Sequence, residues 1–223
     1  MTVPAGSNSR DGGPAGGASA HPWHWAAPTA GSPAWARLAA WTAGGRYLLH
    51  GSGTPGLHRL EPRAPVDCSP DEYSKRIAVF ATEDPTWAIA YAIKAPDCSQ
   101  FLNACFYPGK RAGAAADRRL FYSYGRRPDG TAPVRAGTVY VLDADAFTRQ
   151  PSYLAPEIGG VITECQWIST APVEVVDVVP VTTADLPSPI PTHDPGLVRA
   201  RMSQESTAFP WGAPDNVTGM GRC

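Results

Sequence analysis

The run Trp87-Ala88-Ile89-Ala90-Tyr91-Ala92-Ile93 constrains this chain more than any other. A helix built from it is apolar on nearly every face, so it belongs between layers and not on a surface. Its start is marked locally: Asp84 is placed to cap and Pro85 to open the first turn, which predicts a helix from residue 85 to about residue 95. The preceding run Ile77-Ala78-Val79-Phe80-Ala81 has the β-branched and aromatic content of a strand and stops at Thr82-Glu83-Asp84-Pro85. A buried helix entered directly from a strand restricts the fold to layered mixtures of the two.

The rest of the pattern is mostly strand. Arg46-Tyr47-Leu48-Leu49-His50 ends abruptly at the turn-rich loop Gly51-Ser52-Gly53-Thr54-Pro55-Gly56. Residues 138–142 and 161–168 read as strands, followed by the β-branched run 173–181, where Asp177 interrupts and Pro180 suggests an edge. The stretch 97–133 holds the basic pairs Arg118-Arg119 and Arg126-Arg127 around Phe121-Tyr122-Ser123-Tyr124, and is expected to be one strand inside a long excursion. Residues 32–41 look like a short helix with Ser32 as cap and Pro33 in the first turn. Many strands and few helices imply an α+β fold.

Composition concentrates that fold in the middle of the chain. Of 223 residues, 22 are Gly and 24 Pro, and residues 1–31 are so rich in Gly, Ala, Pro and Ser that they cannot bury enough apolar surface to offset the entropy of ordering. The expected organisation is a disordered arm at 1–31, one domain at 32–186 and a Pro-rich tail at 187–223. A formal charge of −1 supplies no general pull toward nucleic-acid phosphates. No apolar run is long enough to span a bilayer and no secretory start is visible, so no membrane partner is expected and the location is read as cytoplasmic. Five cysteines without CxxC spacing indicate neither a disulfide framework nor a metal site.

Three segments carry chemistry. In His50-Gly51-Ser52, an imidazole can bond a ribose hydroxyl, and a glycine lets its backbone approach a planar carboxamide. Phe80 and Tyr91 offer flat faces on which an aromatic ring can stack, as they can also simply pack in a core. Glu164 and Gln166 are two residues apart, so a continuous strand would place both on one face. A fixed carboxylate there could stabilise positive charge that develops beside it.

In order and spacing these segments resemble the ADP-ribosyltransferase superfamily, in its histidine-containing branch of poly(ADP-ribose) polymerases and rifampin ADP-ribosyltransferases. The resemblance covers residues 46–182 in outline. It implies a split β-sandwich that holds NAD, as co-substrate, in a cleft between two small sheets. His50, Gly51 and Ser52 would grip the nicotinamide riboside, with Phe80 and Tyr91 stacking on the ring. Phe80 departs from the tyrosine usual in that strand, and Gln166 falls where the family's glutamate sits. Glu164 would then supply the charge while Gln166 bonds the ribose or acceptor; Asp143 and Asp145 are second-line carboxylates, and Arg118, Arg119, Arg126 and Arg127 are candidates for the pyrophosphate.

The activity implied is mono-ADP-ribosylation of an unidentified acceptor, whether protein, nucleic acid or small molecule, with release of nicotinamide and no metal or further cofactor. Two alternatives stand beside it: a non-catalytic module that binds NAD or an ADP-ribose-like ligand, and an RNA 2′-phosphotransferase of related fold. The latter is weakened by the absence of an evident set of paired arginines around a phosphate.

Overall fold

A computed structural model describes residues 32–65, 72–110, 117–155, 159–186 and 188–204; the expected arm at 1–31 lies outside them. Two sheets, mostly antiparallel, and three α-helices make up the described residues, an α+β arrangement. The helices are α1 (Pro33–Thr42), α2 (Pro85–Ala92) and α3 (Pro195–Gln204). The larger sheet has the order β2 (Arg59–Leu60), β11 (Val173–Val181), β6 (Gly137–Asp143), β1 (Tyr47–Ser52), β3 (Val79–Thr82), β10 (Gln166–Ser169) and β7 (Thr148–Arg149). The smaller has β12 (Thr192–His193), β5 (Arg119–Gly125), β4 (Phe101–Pro108), β9 (Gly160–Glu164) and β8 (Tyr153–Ala155), with β12 parallel to β5.

Helix α2 lies in the core, as its sequence requires. Seven of its eight residues are buried, Tyr91 being half-buried. One side meets Leu49, Val139 and Val141 of the larger sheet, and another meets Cys105, Leu120, Tyr122 and Tyr124 of the smaller. Two glycines set how closely it sits. A Cβ on Gly51 would fall 2.0 Å from the Ala88 carbonyl oxygen, and one on Gly137 2.0 Å from that of Ala92. The start is as the sequence predicts, with Asp84 Oδ1 accepting from Trp87 N at 2.7 Å and Pro85 in the first turn. The end comes earlier than residue 95, because Pro96 disfavours helical backbone at residue 95. Lys94 pairs instead with Val134, while Ala95 N donates to Pro133 O.

Helix α1 belongs to the same body. Trp35 Nε1 donates to Thr86 Oγ1 of α2 at 2.8 Å, and Arg37 and Trp41 both donate to Asp177 Oδ2. Asp177 stands where the register of β11 against β6 shifts, so the interruption visible in sequence is a bulge that anchors a helix.

Three expectations are corrected. The stretch 97–133 contains two paired strands, β4 and β5, central to the smaller sheet. The mixed composition of Phe101–Pro108, with polar Asn103 among apolar residues, hid β4, whose Asn103 serves α2 by accepting from Trp87 Nε1 and Tyr91 Oη. The fold also continues beyond Leu186: β12 pairs with β5, His193 is buried, and Val198 of α3 packs on Leu102. Finally, residues 161–168 are not one strand. The chain leaves the smaller sheet at Glu164 and enters the larger at Gln166, with Cys165 between them donating its N–H to Cys105 O.

Candidate functional site

Strands β1, β3 and β10, which carry His50, Phe80 and Gln166, are consecutive neighbours in the larger sheet, while Tyr91 lies on α2 and Glu164 on β9 of the smaller sheet. β3 and β10 pair over four residues, from Gln166 opposite Thr82 to Ser169 opposite Val79. β1 and β3, by contrast, share one registered pair, Leu49 opposite Thr82. Beyond that pair the two strands fork, and a side chain spans the opening: His50 Nδ1 lies 2.7 Å from Phe80 O.

The fork divides the candidate residues between two faces. Leu49 and Gly51 face α2, so alternation turns Leu48 and His50 the other way, toward the cluster containing Val79, Ala81 and Tyr140. Phe80 lies on the α2 face of β3, opposite Ile168 and packed with Tyr73. Tyr91 approaches Gly51 from the helix: a Cβ on the glycine would lie 2.9 Å from Tyr91 Cβ. Its ring meets the Phe101 ring edge-on at 5.0 Å. The bare Cα of Gly51 is thus already occupied on one side by α2, a reason for glycine that needs no ligand.

The imidazole has a defined protonation state. Because Phe80 O is an acceptor, Nδ1 must carry its hydrogen. Burial pushes the His50 pKa below its ordinary value and the Arg63 charge adds to this, against the Phe80 bond. The ring is therefore neutral at pH 7, and Nε2 presents a lone pair. Since no buried side-chain nitrogen or oxygen lacks a partner among the described residues, and Nδ1 makes the only hydrogen bond of this ring, Nε2 reaches solvent as an acceptor.

The loop after His50 is fixed by residues that the sequence did not single out. Tyr140, opposite His50 in the β1–β6 ladder, donates to Thr54 O and accepts from Leu57 N, and Arg135 Nη2 donates to Gly53 O at 3.0 Å. Ser52 Oγ accepts from Thr54 N, which leaves its hydroxyl hydrogen available to a ligand.

Glu164 and Gln166 do not behave as two positions on one strand. Glu164 ends β9 in the smaller sheet, opposite Phe106, and its carboxylate accepts from the Tyr153 hydroxyl. Gln166 begins β10, and its amide nitrogen donates to Ser74 Oγ at 2.9 Å and Gln150 Oε1 at 3.1 Å. Between them and β3 lies a charged clamp: Glu83 accepts from Arg149 Nη2 and Trp167 Nε1, both at 2.5 Å. The Arg149 guanidinium lies over the rings of Trp167 and Tyr107, and its Nε donates to Glu164 O at 3.1 Å. These partners are 66 and 84 residues from Glu83 in sequence, beyond the reach of any local pattern.

The remaining candidates have structural duties. Asp143 Oδ1 accepts from Asp145 N, capping a short 3-10 turn at the far end of β1, opposite Tyr47. Arg118 forms a buried pair with Asp84 at 2.5 Å, and Arg127 bonds Asp97 through two nitrogens. Burial raises the Asp84 carboxyl above its ordinary pKa, against the pull of Arg118 and the Trp87 N–H. Arg118 and Arg127 are corrected from pyrophosphate candidates to ion-pair partners, and β5 carries Arg119 as its exposed first residue.

Comparison with family models, curated proteins and solved structures gives no match to this chain. Among the described residues no helix is long and apolar enough to cross a membrane.

Proposed function

We propose that this chain is an ADP-ribosyltransferase-like protein that binds NAD at the β1–β3 fork and transfers single ADP-ribose units to an acceptor. The observation that carries the reading is the fork itself. His50, Phe80 and Gln166, far apart in sequence, stand on three adjacent strands, and the imidazole bridges the opening between the first two.

The chemistry follows from the groups present. In this reading a neutral Nε2 accepts from a ribose hydroxyl on one face of the fork, and the nicotinamide reaches through the opening past the Gly51 backbone toward the Phe80 and Tyr91 rings on the α2 face. Breaking the C1′–N1 bond sends its electron pair to nicotinamide, which leaves neutral, and puts positive charge on the ribose. The Glu164 carboxylate, two residues from Gln166, is the anion nearest in sequence to meet that charge. The acceptor's nucleophile then attacks C1′ and gives up its proton to solvent.

A second reading, a module that binds NAD without transfer, is favoured by one feature: an amide, Gln166, occupies the first position of β10. Incubating the pure protein with NAD, with and without cell extract, and following free nicotinamide decides between them. Release supports transfer; binding without release selects the second reading; neither binding nor release overturns both.

A further inference from the structure

Residues 149–153 run from β7 in the larger sheet to β8 in the smaller, and residues 164–166 return from β9 to β10. The two crossings lie side by side and are bonded along their length. Arg149 Nε donates to Glu164 O, Gln150 N donates to Gln166 O at 3.0 Å, and Ser152 Oγ shares a hydrogen bond with Thr163 Oγ1 at 2.7 Å. At the two functional side chains the bonds reach the reactive ends: Tyr153 donates to the Glu164 carboxylate, and Gln150 Oε1 accepts from the Gln166 amide.

We infer that Tyr153 and Gln150 are positioning residues of the transfer site, the phenol aiming the Glu164 carboxylate and the Gln150 amide fixing which atom Gln166 presents. The inference rests on the transfer reading above. An unheld glutamate samples several rotamers, whereas a charge-assisted bond from a phenol on a paired strand selects one. Gln166 is fixed differently. With its nitrogen donating to both Ser74 and Gln150, its carbonyl oxygen is the polar atom left over, and it reaches solvent because no buried side-chain oxygen lacks a partner among the described residues.

Gln166 Oε1 and His50 Nε2 are then two acceptors suited to hydroxyl donors, such as those of a ribose. Tyr153 acts on the charged group and Gln150 on the binding group, so their loss separates into different kinetic constants. Preorganising the carboxylate affects the reacting geometry, and preorganising the binding amide affects affinity.

The test is steady-state nicotinamide release from NAD by the full chain. Tyr153→Phe should lower kcat about tenfold with KM changed less than twofold, and Gln150→Ala should raise KM about tenfold with kcat nearly unchanged. Glu164→Asp, whose shorter side chain cannot reach the phenol, should match Tyr153→Phe. In that background Tyr153→Phe should have no further effect. Ser152→Ala removes the hydroxyl that bonds Lys110 O and Thr163 Oγ1 at the same crossing without touching either side chain, and should leave both constants unchanged. The Glu164→Asp comparison keeps the inference open to refutation if Tyr153→Phe folds poorly.

Independent, multiplying effects of Tyr153→Phe and Glu164→Asp, or equal losses in Ser152→Ala, overturn the positioning role while leaving the transfer reading intact. A wild-type chain that releases no nicotinamide overturns both.

Discussion

Helix α2 and the paired crossings both join one sheet to the other, by opposite means. The α2 seat is apolar and defined by shape, with two glycines under the helix and buried alanines above them. The crossings are polar and defined by direction, through Glu83, Arg149, Trp167, Gln150 and Tyr153. A shape-defined apolar seat tolerates neither added volume nor an unpartnered polar group, but depends on no single donor. A direction-defined one tolerates volume where it is partly exposed, but not the loss of a donor. The fork at His50 lies between the two and borrows from each: its floor is Gly51 against α2, and its span is a hydrogen bond.

The largest effect should come from the seat. Gly137→Ala places a methyl against the Ala92 backbone, which cannot move as a flexible side chain would. We expect a loss of about 3 kcal/mol, read by chemical denaturation. A loss under about 0.5 kcal/mol would mean that α2 has room to shift, and the contrast with the crossings would disappear.

Legibility in sequence follows the same division. The α2 segment announces itself through Asp84, Pro85 and an all-apolar run, because burial and capping are local properties. The strands holding His50, Phe80 and Gln166 were readable for the same reason. The break at Cys165 was not: residues 161–168 keep strand-forming composition throughout, and only pairing with β4 and then β3 reveals the change of sheet. Nor were Arg149 and Tyr153, whose partners are set by which loops meet in space. Glu83 and Glu164 look alike in sequence, yet one is clamped by an arginine and an indole and the other accepts from a phenol.

The next effect should come from the clamp. Glu83→Gln removes the charge that Arg149 and Trp167 share, at side-chain exposures of 18% and 23% for the ion pair. Partial exposure discounts the loss, so we expect about 1–2 kcal/mol by denaturation, smaller at high salt. Trp167→Phe, which keeps the ring and removes its N–H, should cost about 1 kcal/mol. If both variants match wild type, the crossings are not held by direction and the comparison fails.

The smallest effect is a pH dependence at the fork. Burial keeps the folded His50 pKa below its ordinary value. On acidification the unfolded chain therefore takes up this proton first. The stability that depends on a neutral imidazole is complete above about pH 6.5 and declines as pH falls through the window below it. His50→Asn should flatten that acid slope relative to wild type in denaturation curves taken from pH 7.5 to 5. An identical slope in both proteins would place the imidazole in water.

One comparison bears on the proposed NAD site at the fork more directly than the rest: calorimetric titration of NAD into wild type and into His50→Ala at pH 7.5. Binding by wild type with at least tenfold weaker affinity in the variant is the expected result. Equal affinity in the two proteins, or no binding to either, would contradict the placement of NAD at this histidine.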